Sequence, residues 1–293
     1  NRTVSANYGM SYSISNVVAE AGLKNVMRWV PFDVDESQLR NRIKNKMIRP
    51  TSIPYLMEDL EIEQAICREA LRLSFEQHAL LADGLKGVQH QAEIGSIFSQ
   101  GEKRSLIDPM RLDMLIGSGG VLSHAPERWQ TAWMLLDSYL PCGITQLAVD
   151  SIFMMPQLGV LSSILPEAAA YVFEKDCLIE LGTCIAPRFT NGKALAPGQD
   201  LLKVELEGQA PFTLHMGEIK VKKLPVGQNI KARLFPLSRT DVGRGAGQIV
   251  ECVLKGGTTG LIFDGRGREP FVLPQERSVL INKLQEWKAA LKG

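Results

Sequence analysis

A short run from Leu112 to Ile116, apolar except for Asp113, leads into Gly117-Ser118-Gly119-Gly120, and a helical pattern from Pro126 to Tyr139 follows. This reads as a strand, a glycine turn and a helix. A second apolar run, Ile144 to Val149, stops at Asp150, and helical stretches follow at 158–164 and 166–175. Strands that alternate with helices predict an α/β layer. Glycines at a strand end let a flat ring or a phosphate approach the backbone, so 117–120 is a candidate ligand turn. A purely structural turn before a helix uses the same residues. The order G-S-G-G matches neither the dinucleotide fingerprint G-x-G-x-x-G nor the phosphate loop G-x-x-x-x-G-K-[ST].

The flanks differ from this centre. Residues 1–105 read mostly helical: 11–21 and 36–47 place apolar residues three and four apart, and 58–82 carries a broad apolar stripe. From about Pro187 the period falls to two, at 202–206, 212–215, 219–224, 230–235, 249–254 and 260–263, with glycine or proline in the gaps. Six short strands predict a small all-β barrel or sandwich, entered through a linker at 191–199 and closed by a helix at 275–291. The expected division is therefore 1–190, with a helical region at about 11–105 and an α/β region at 106–190, followed by a β-rich 191–293.

Composition narrows the function classes. With 33 Lys plus Arg against 32 Asp plus Glu in 293 residues, no overall field favours nucleic acid or anionic lipid, so neither is an expected partner. Five cysteines, odd in number and without a C-x-x-C pair, indicate neither a zinc site nor a disulfide framework and fit a reducing cytoplasm. No apolar run has the length of a membrane span. The first residue is Asn1, which fits a processed or partial chain.

Other candidates each carry two readings. His124, four residues after the glycine turn, contacts a ribose or base, or bonds backbone at the start of the next helix. Asp150 ends a strand, where ligand groups gather, yet Asp and Ser151 are also preferred helix caps. The loop 241–247, Asp-Val-Gly-Arg-Gly-Ala-Gly, offers backbone N–H groups to an anion, but between two strands it reads as a mobile hairpin loop. Gly265-Arg266-Gly267-Arg268 reads as a polar turn. Met114, Met134, Met154 and Met155 are gap-filling core residues, and Cys177 and Cys184 are buried thiols. No catalytic residue emerges from spacing alone.

The stretches IGSGGVLSHAPE, LAVDSIFMMPQLGVLS and LIELGTCIAP, between Leu115 and Pro187, resemble the GlmL or MutL-type accessory proteins of adenosylcobalamin-dependent glutamate mutase and related mutases. The opening RTVSANYGMSYS resembles the family's segment after its second phosphate motif, and LPVGQNIKARLFPL, GRGAGQ and GGTTGLIFDGRGREP resemble its C-terminal β region. The family shares a name with a mismatch-repair ATPase but is unrelated to it.

The resemblance implies part of an actin/Hsp70-like ATPase lobe with a helical insertion, followed by the small β domain. It places Gly117, Ser118, Gly119 and Gly120 at the adenosine motif of a nucleotide clamp, with His124 nearby, and it implies ATP and Mg2+ as cofactors of the full-length protein. It also implies a cobalamin-dependent mutase subunit as partner and a role as an ATP-dependent chaperone or reactivating factor. The sequence departs from the pattern in lacking any D-x-G-[ST] phosphate hairpin, so the chain resembles the C-terminal portion of a longer protein and is not expected to hydrolyse ATP alone. No D-x-H-x-x-G is present, so direct cobalt ligation is not expected. A non-catalytic assembly module and a small-molecule kinase of the same superfamily are the rival expectations.

Overall fold

A computed structural model describes residues 7–84 and 107–293. Helices come first: α1 (Ile14–Ala21), α2 (Leu23–Met27), α3 (Glu36–Ile48) and α4 (Met57–Gly84). Asp35 caps α3 by accepting the Gln38 N–H at 2.7 Å. On α3 only Leu39 and Ile43, one turn apart, are buried. Helix α4 instead buries residues 64–70 on every side, charged Arg68 and Glu69 included. The C-terminal part of the expected helical region, 85–105, lies outside the described residues.

The α/β centre follows as β1 (Met114–Gly117), α5 (Gly120–Ser123), α6 (Arg128–Tyr139) and β2 (Gly143–Asp150). Strands β1 and β2 are parallel, with Leu115 opposite Leu147, so α5 and α6 form the crossover that parallel pairing requires. After α7 (Met155–Leu161), α8 (Pro166–Val172) and one π-type turn at Phe173–Cys177 comes β3 (Leu178–Ala186), antiparallel to β2. The sequence pattern did not announce β3: Glu180 and Gly182 interrupt its apolar residues, and no turn signal parts it from the helix before it.

The remainder comprises β4 (Arg188–Phe189), β5 (Asp200–Leu206), β6 (Phe212–His215), β7 (Ile219–Lys222), β8 (Asn229–Pro236), β9 (Thr240–Asp241), β10 (Val250–Lys255), β11 (Gly260–Asp264) and α9 (Arg277–Lys292). All six expected strands form, but not as a self-contained barrel or sandwich. Four make a sheet of order β10-β8-β5-β6, whereas β7 and β11 complete a five-stranded sheet of order β1-β2-β3-β11-β7. The cause is the burial of β11 along its whole length, which suits a central strand covered on both faces. The five-stranded sheet thus draws strands from both sides of residue 190.

Glycines make this intrusion possible. A Cβ on Gly182 of β3 would lie 1.9 Å from the Gly260 carbonyl oxygen, and one on Gly257 would lie 2.3 Å from the Gly182 nitrogen. Both positions require a bare backbone.

The large sheet separates two cores by alternation along its strands. Cys184 and Ile262 face the helical side with Leu135, Leu136, Leu284 and Trp287, while Ile185, Leu261 and Phe263 face the four-stranded sheet with Leu202, Val204 and Leu234. The result is a mixed α/β arrangement of three layers: helices, five-stranded sheet, four-stranded sheet.

Candidate functional site

Strands β1 and β2 end side by side, with Gly117 opposite Val149, and the glycine turn and Asp150 meet at that end. The four residues of the turn have distinct physical roles. Gly117 is buried, and a Cβ there would press on Leu122 and Leu135 at 3.0 and 3.1 Å, so this glycine lets α6 approach the sheet. Gly119 has φ 122 and ψ 154, a conformation that side chains rarely adopt. Gly120 is exposed and has open space where a side chain would project. Ser118 donates its hydroxyl to Asp150 Oδ2 at 3.3 Å.

Asp150 is fully buried. Its carboxylate accepts N–H groups from Ile152 at 3.4 Å, Met154 at 3.2 Å and Met155 at 3.0 Å, so it anchors the segment leading into α7, whose N-cap position is Met154. Burial alone raises its pKa, and those three N–H groups together with Ser118 outweigh it, so the carboxyl is held below its ordinary value. Ser123 Oγ donates to the Asp150 carbonyl at 2.6 Å, which ties the short helix after the turn to the end of β2. Asp150 therefore organises the turn, and its occupied oxygens do not suit a magnesium ligand.

His124 caps α5 from an exposed position, and its imidazole is free of a protein partner among the described residues. On the other flank, Phe153 takes a positive φ of 64 and lies 3.9 Å from the point where a Gly119 Cβ would be. Phe153 and Ile152 are 52% and 56% exposed, so the turn carries an apolar lip that sequence reasoning did not single out. The strain at Phe153 has no sequence signal, since aromatic residues seldom adopt positive φ. The site is a shallow, water-facing shelf with bare backbone on one side and an aromatic ring on the other.

The other glycine-rich segments are accounted for structurally. In the 241–247 loop, Asp241 Oδ1 accepts the N–H groups of Gly243 at 2.7 Å and Gly245 at 2.8 Å, so two donors that an anion would need are already used. The segment 265–268, a polar turn by its composition, is turned inward in the folded chain. Arg266 and Arg268 are 2% and 1% exposed. Arg266 binds Asp264 through Nε at 2.9 Å and Asp137 through a terminal nitrogen at 2.5 Å, and Arg268 reaches Asp264 at 2.7 Å and the Pro141 carbonyl at 3.0 Å. Asp137 also accepts Arg68 Nε at 2.7 Å, so the network joins α4, α6 and the end of β11. Burial pushes Asp264 up, and the two guanidiniums more than reverse this, leaving it far below the usual carboxylate range.

The cysteines are all free thiols, four of them buried. Burial pushes Cys67 up to about 12 and Cys142 up to about 11, which makes both poor nucleophiles. Met134 is fully buried in the core, Met154 and Met155 are half-buried, and Met114 is exposed on the edge strand. Among the described residues no His, Cys, Asp and Glu side chains gather in a group of three that would hold a metal ion. No described helix is long and apolar enough to cross a membrane.

A family model described as MutL protein matches residues 1–177. The chain belongs to the MutL family. This is the GlmL/MutL group of glutamate mutase accessory proteins, and the match takes in the glycine turn, Asp150 and α7 while leaving 178–293 uncovered. No curated protein and no solved structure matches the chain. The resemblance drawn from IGSGGVLSHAPE and LAVDSIFMMPQLGVLS thus leads to the family that the model identifies.

Proposed function

We propose that this MutL-family chain is the C-terminal part of an ATP-dependent chaperone or reactivating factor for an adenosylcobalamin-dependent carbon-skeleton mutase such as glutamate mutase. Membership of the family, through residues 1–177, is the observation that carries this reading. The helices and the five-stranded sheet, which β7 and β11 complete, then correspond to part of an actin/Hsp70-like ATPase lobe, and the four-stranded sheet β10-β8-β5-β6 to an appended β-rich layer, working in the cytoplasm. In its favour, the parallel pair β1 and β2 delivers a glycine turn with the bare backbone that an adenosine ring can lie against. Gly117 to Gly120 would hold the nucleoside, with Phe153 or His124 at its edge. The turn supplies no free carboxylate for Mg2+ and no base for an attacking water. Those groups belong to other parts of the complete protein, and ATP and Mg2+ are its proposed cofactors. Nucleotide would supply energy through unequal affinity for two conformations, and the conformational change would alter the surface offered to the mutase so that damaged cofactor exchanges.

The test is direct. Inactivated mutase is incubated with the complete accessory protein, ATP and fresh adenosylcobalamin; activity should return in proportion to accessory protein, and recovery no greater than in a control lacking ATP contradicts the proposal. A second reading, a non-catalytic assembly module, is favoured by the engagement of Asp150 with its own helix. It requires the protein to bind the mutase equally well with and without nucleotide.

A further inference from the structure

Three cations gather where the first turn of α6, the last turn of α9 and the loops after β7 and before β11 meet. Arg128, Lys223 and Lys292 line this concavity, and among the described residues Glu127 is the only acidic side chain in its walls. Glu127 is engaged in the capping box of α6. Arg128 spends one Nη1 hydrogen on the Ser123 carbonyl at 2.8 Å, and none of the three cations forms an ion pair among the described residues. On the flanking faces Lys288 pairs with Glu61 and Lys283 with Glu286, so those charges cancel. Even with a carboxylate counted at Gly293, which also lines the concavity, cations lead by three to two. The positive end of α6 and the negative end of α9 offset each other, so side chains set the sign of the field.

A hydroxyl stands with them. Thr258 and Thr259 give their backbone N–H groups to the Glu180 and Leu181 carbonyls at 2.9 and 2.8 Å, which fixes the loop on β3. Thr259 Oγ1 is buried without a hydrogen-bond partner among the described residues, although buried polar groups ordinarily have one. The concavity measures 430 Å3, inside the roughly 300–1,000 Å3 of small-molecule sites, and Trp129, Val221, Leu224 and Pro225 give it an apolar wall. We propose that it binds a small organic phosphate. A phosphate monoester carries a charge of about −1.5 to −2 at pH 7 and three acceptor oxygens, which answers an excess of cations and an unsatisfied hydroxyl better than the single charge of a carboxylate. The phosphate meets Arg128, Lys223, Lys292 and Thr259, and the body of the ligand lies on the apolar wall.

Phenyl phosphate is the probe, with benzoate and phenol as controls, each titrated calorimetrically into the 293-residue protein at low salt. Phenyl phosphate should bind saturably and more tightly than either control, and should lose about tenfold or more in affinity to the variant carrying K223E and K292E. Both altered side chains are exposed, and an unchanged melting curve verifies that the variant folds. Gly120→Glu, in the glycine turn, should leave the affinity unchanged. The proposal is overturned by the absence of saturable binding, by benzoate or phenol binding as tightly as the phosphate, or by equal affinity for the K223E and K292E variant. Loss of binding in Gly120→Glu overturns it too, since the probe would then occupy the turn.

Discussion

The glycine turn at 117–120 and the segment 264–268 look alike as sequence: an apolar strand runs into glycines and polar residues in both. In the folded chain they are opposites. The first ends β1, an edge strand that starts exposed and becomes buried only at Gly117, and beyond it Gly119 is half-buried and Gly120 faces water. The second ends β11, buried along its whole length and flanked by β3 and β7, so its arginines are driven inside and must be paired. The place of the parent strand in the sheet decides whether such a turn can receive a ligand or has to bind its own neighbours.

The largest contrast should come from breaking the buried network. Asp264→Asn leaves two buried guanidiniums short of charge and should cost about 3–5 kcal/mol, measured as a lower urea midpoint at unchanged slope. A loss below about 1 kcal/mol would mean that the network is not the structural counterpart of the open turn. Next, Gly257→Ala drives a methyl into the Gly182 backbone where β3 meets the loop before β11, and should cost about 1–3 kcal/mol in the same measurement.

Acid sharpens the comparison further. Asp264 and Asp150 both have folded pKa values below their unfolded ones, so each contributes stability that is complete above the unfolded value of about 3.9 and is lost as pH falls toward the folded value. Melting temperature should hold steady down to about pH 5 and then decline, and Asp264→Asn should flatten that decline far more than Ser118→Ala does. Within the turn itself, Gly119→Ala meets a forbidden backbone angle and should cost about 1–3 kcal/mol, whereas Gly120→Ala fills open space in a helical turn and should change stability by less than about 1 kcal/mol. The smallest effect is chemical: native protein should expose at most Cys252 to a thiol reagent at pH 8, and unfolding should expose all five cysteines.

Much of this architecture is legible without coordinates. The alternation in Phe212 to His215 or Ile230 to Phe235 reveals strands because one face of each is buried, and the stripe from Leu60 to Ala70 reveals α4 for the same reason. What the pattern cannot show is which sheet a strand joins. The residues that decide it, Gly182, Gly257 and Gly260, act by lacking side chains and leave no periodicity. The site is legible in part: the turn is found where Gly117 and Gly119 stand, whereas the N-cap of α7 is Met154 rather than Asp150 or Ser151, and Asp150 holds the N–H groups of Met154 and Met155 from the strand end. Phe153 stays hidden because its position depends on a strained backbone angle, and Arg266 and Arg268 mislead because charged residues beside glycine ordinarily mean solvent.

The central claim is that the open turn receives nucleotide while its buried counterpart holds the fold. Gly120 gives the cleanest test, because a Cβ there has no atom within 4 Å beyond its own chain neighbours and helix backbone, and the residue is exposed. Calorimetric titration of the complete protein with ATP and Mg2+ should give a saturable heat that Gly120→Glu abolishes at an unchanged melting temperature. Equal heats for the two proteins, or no heat for either, would contradict the claim.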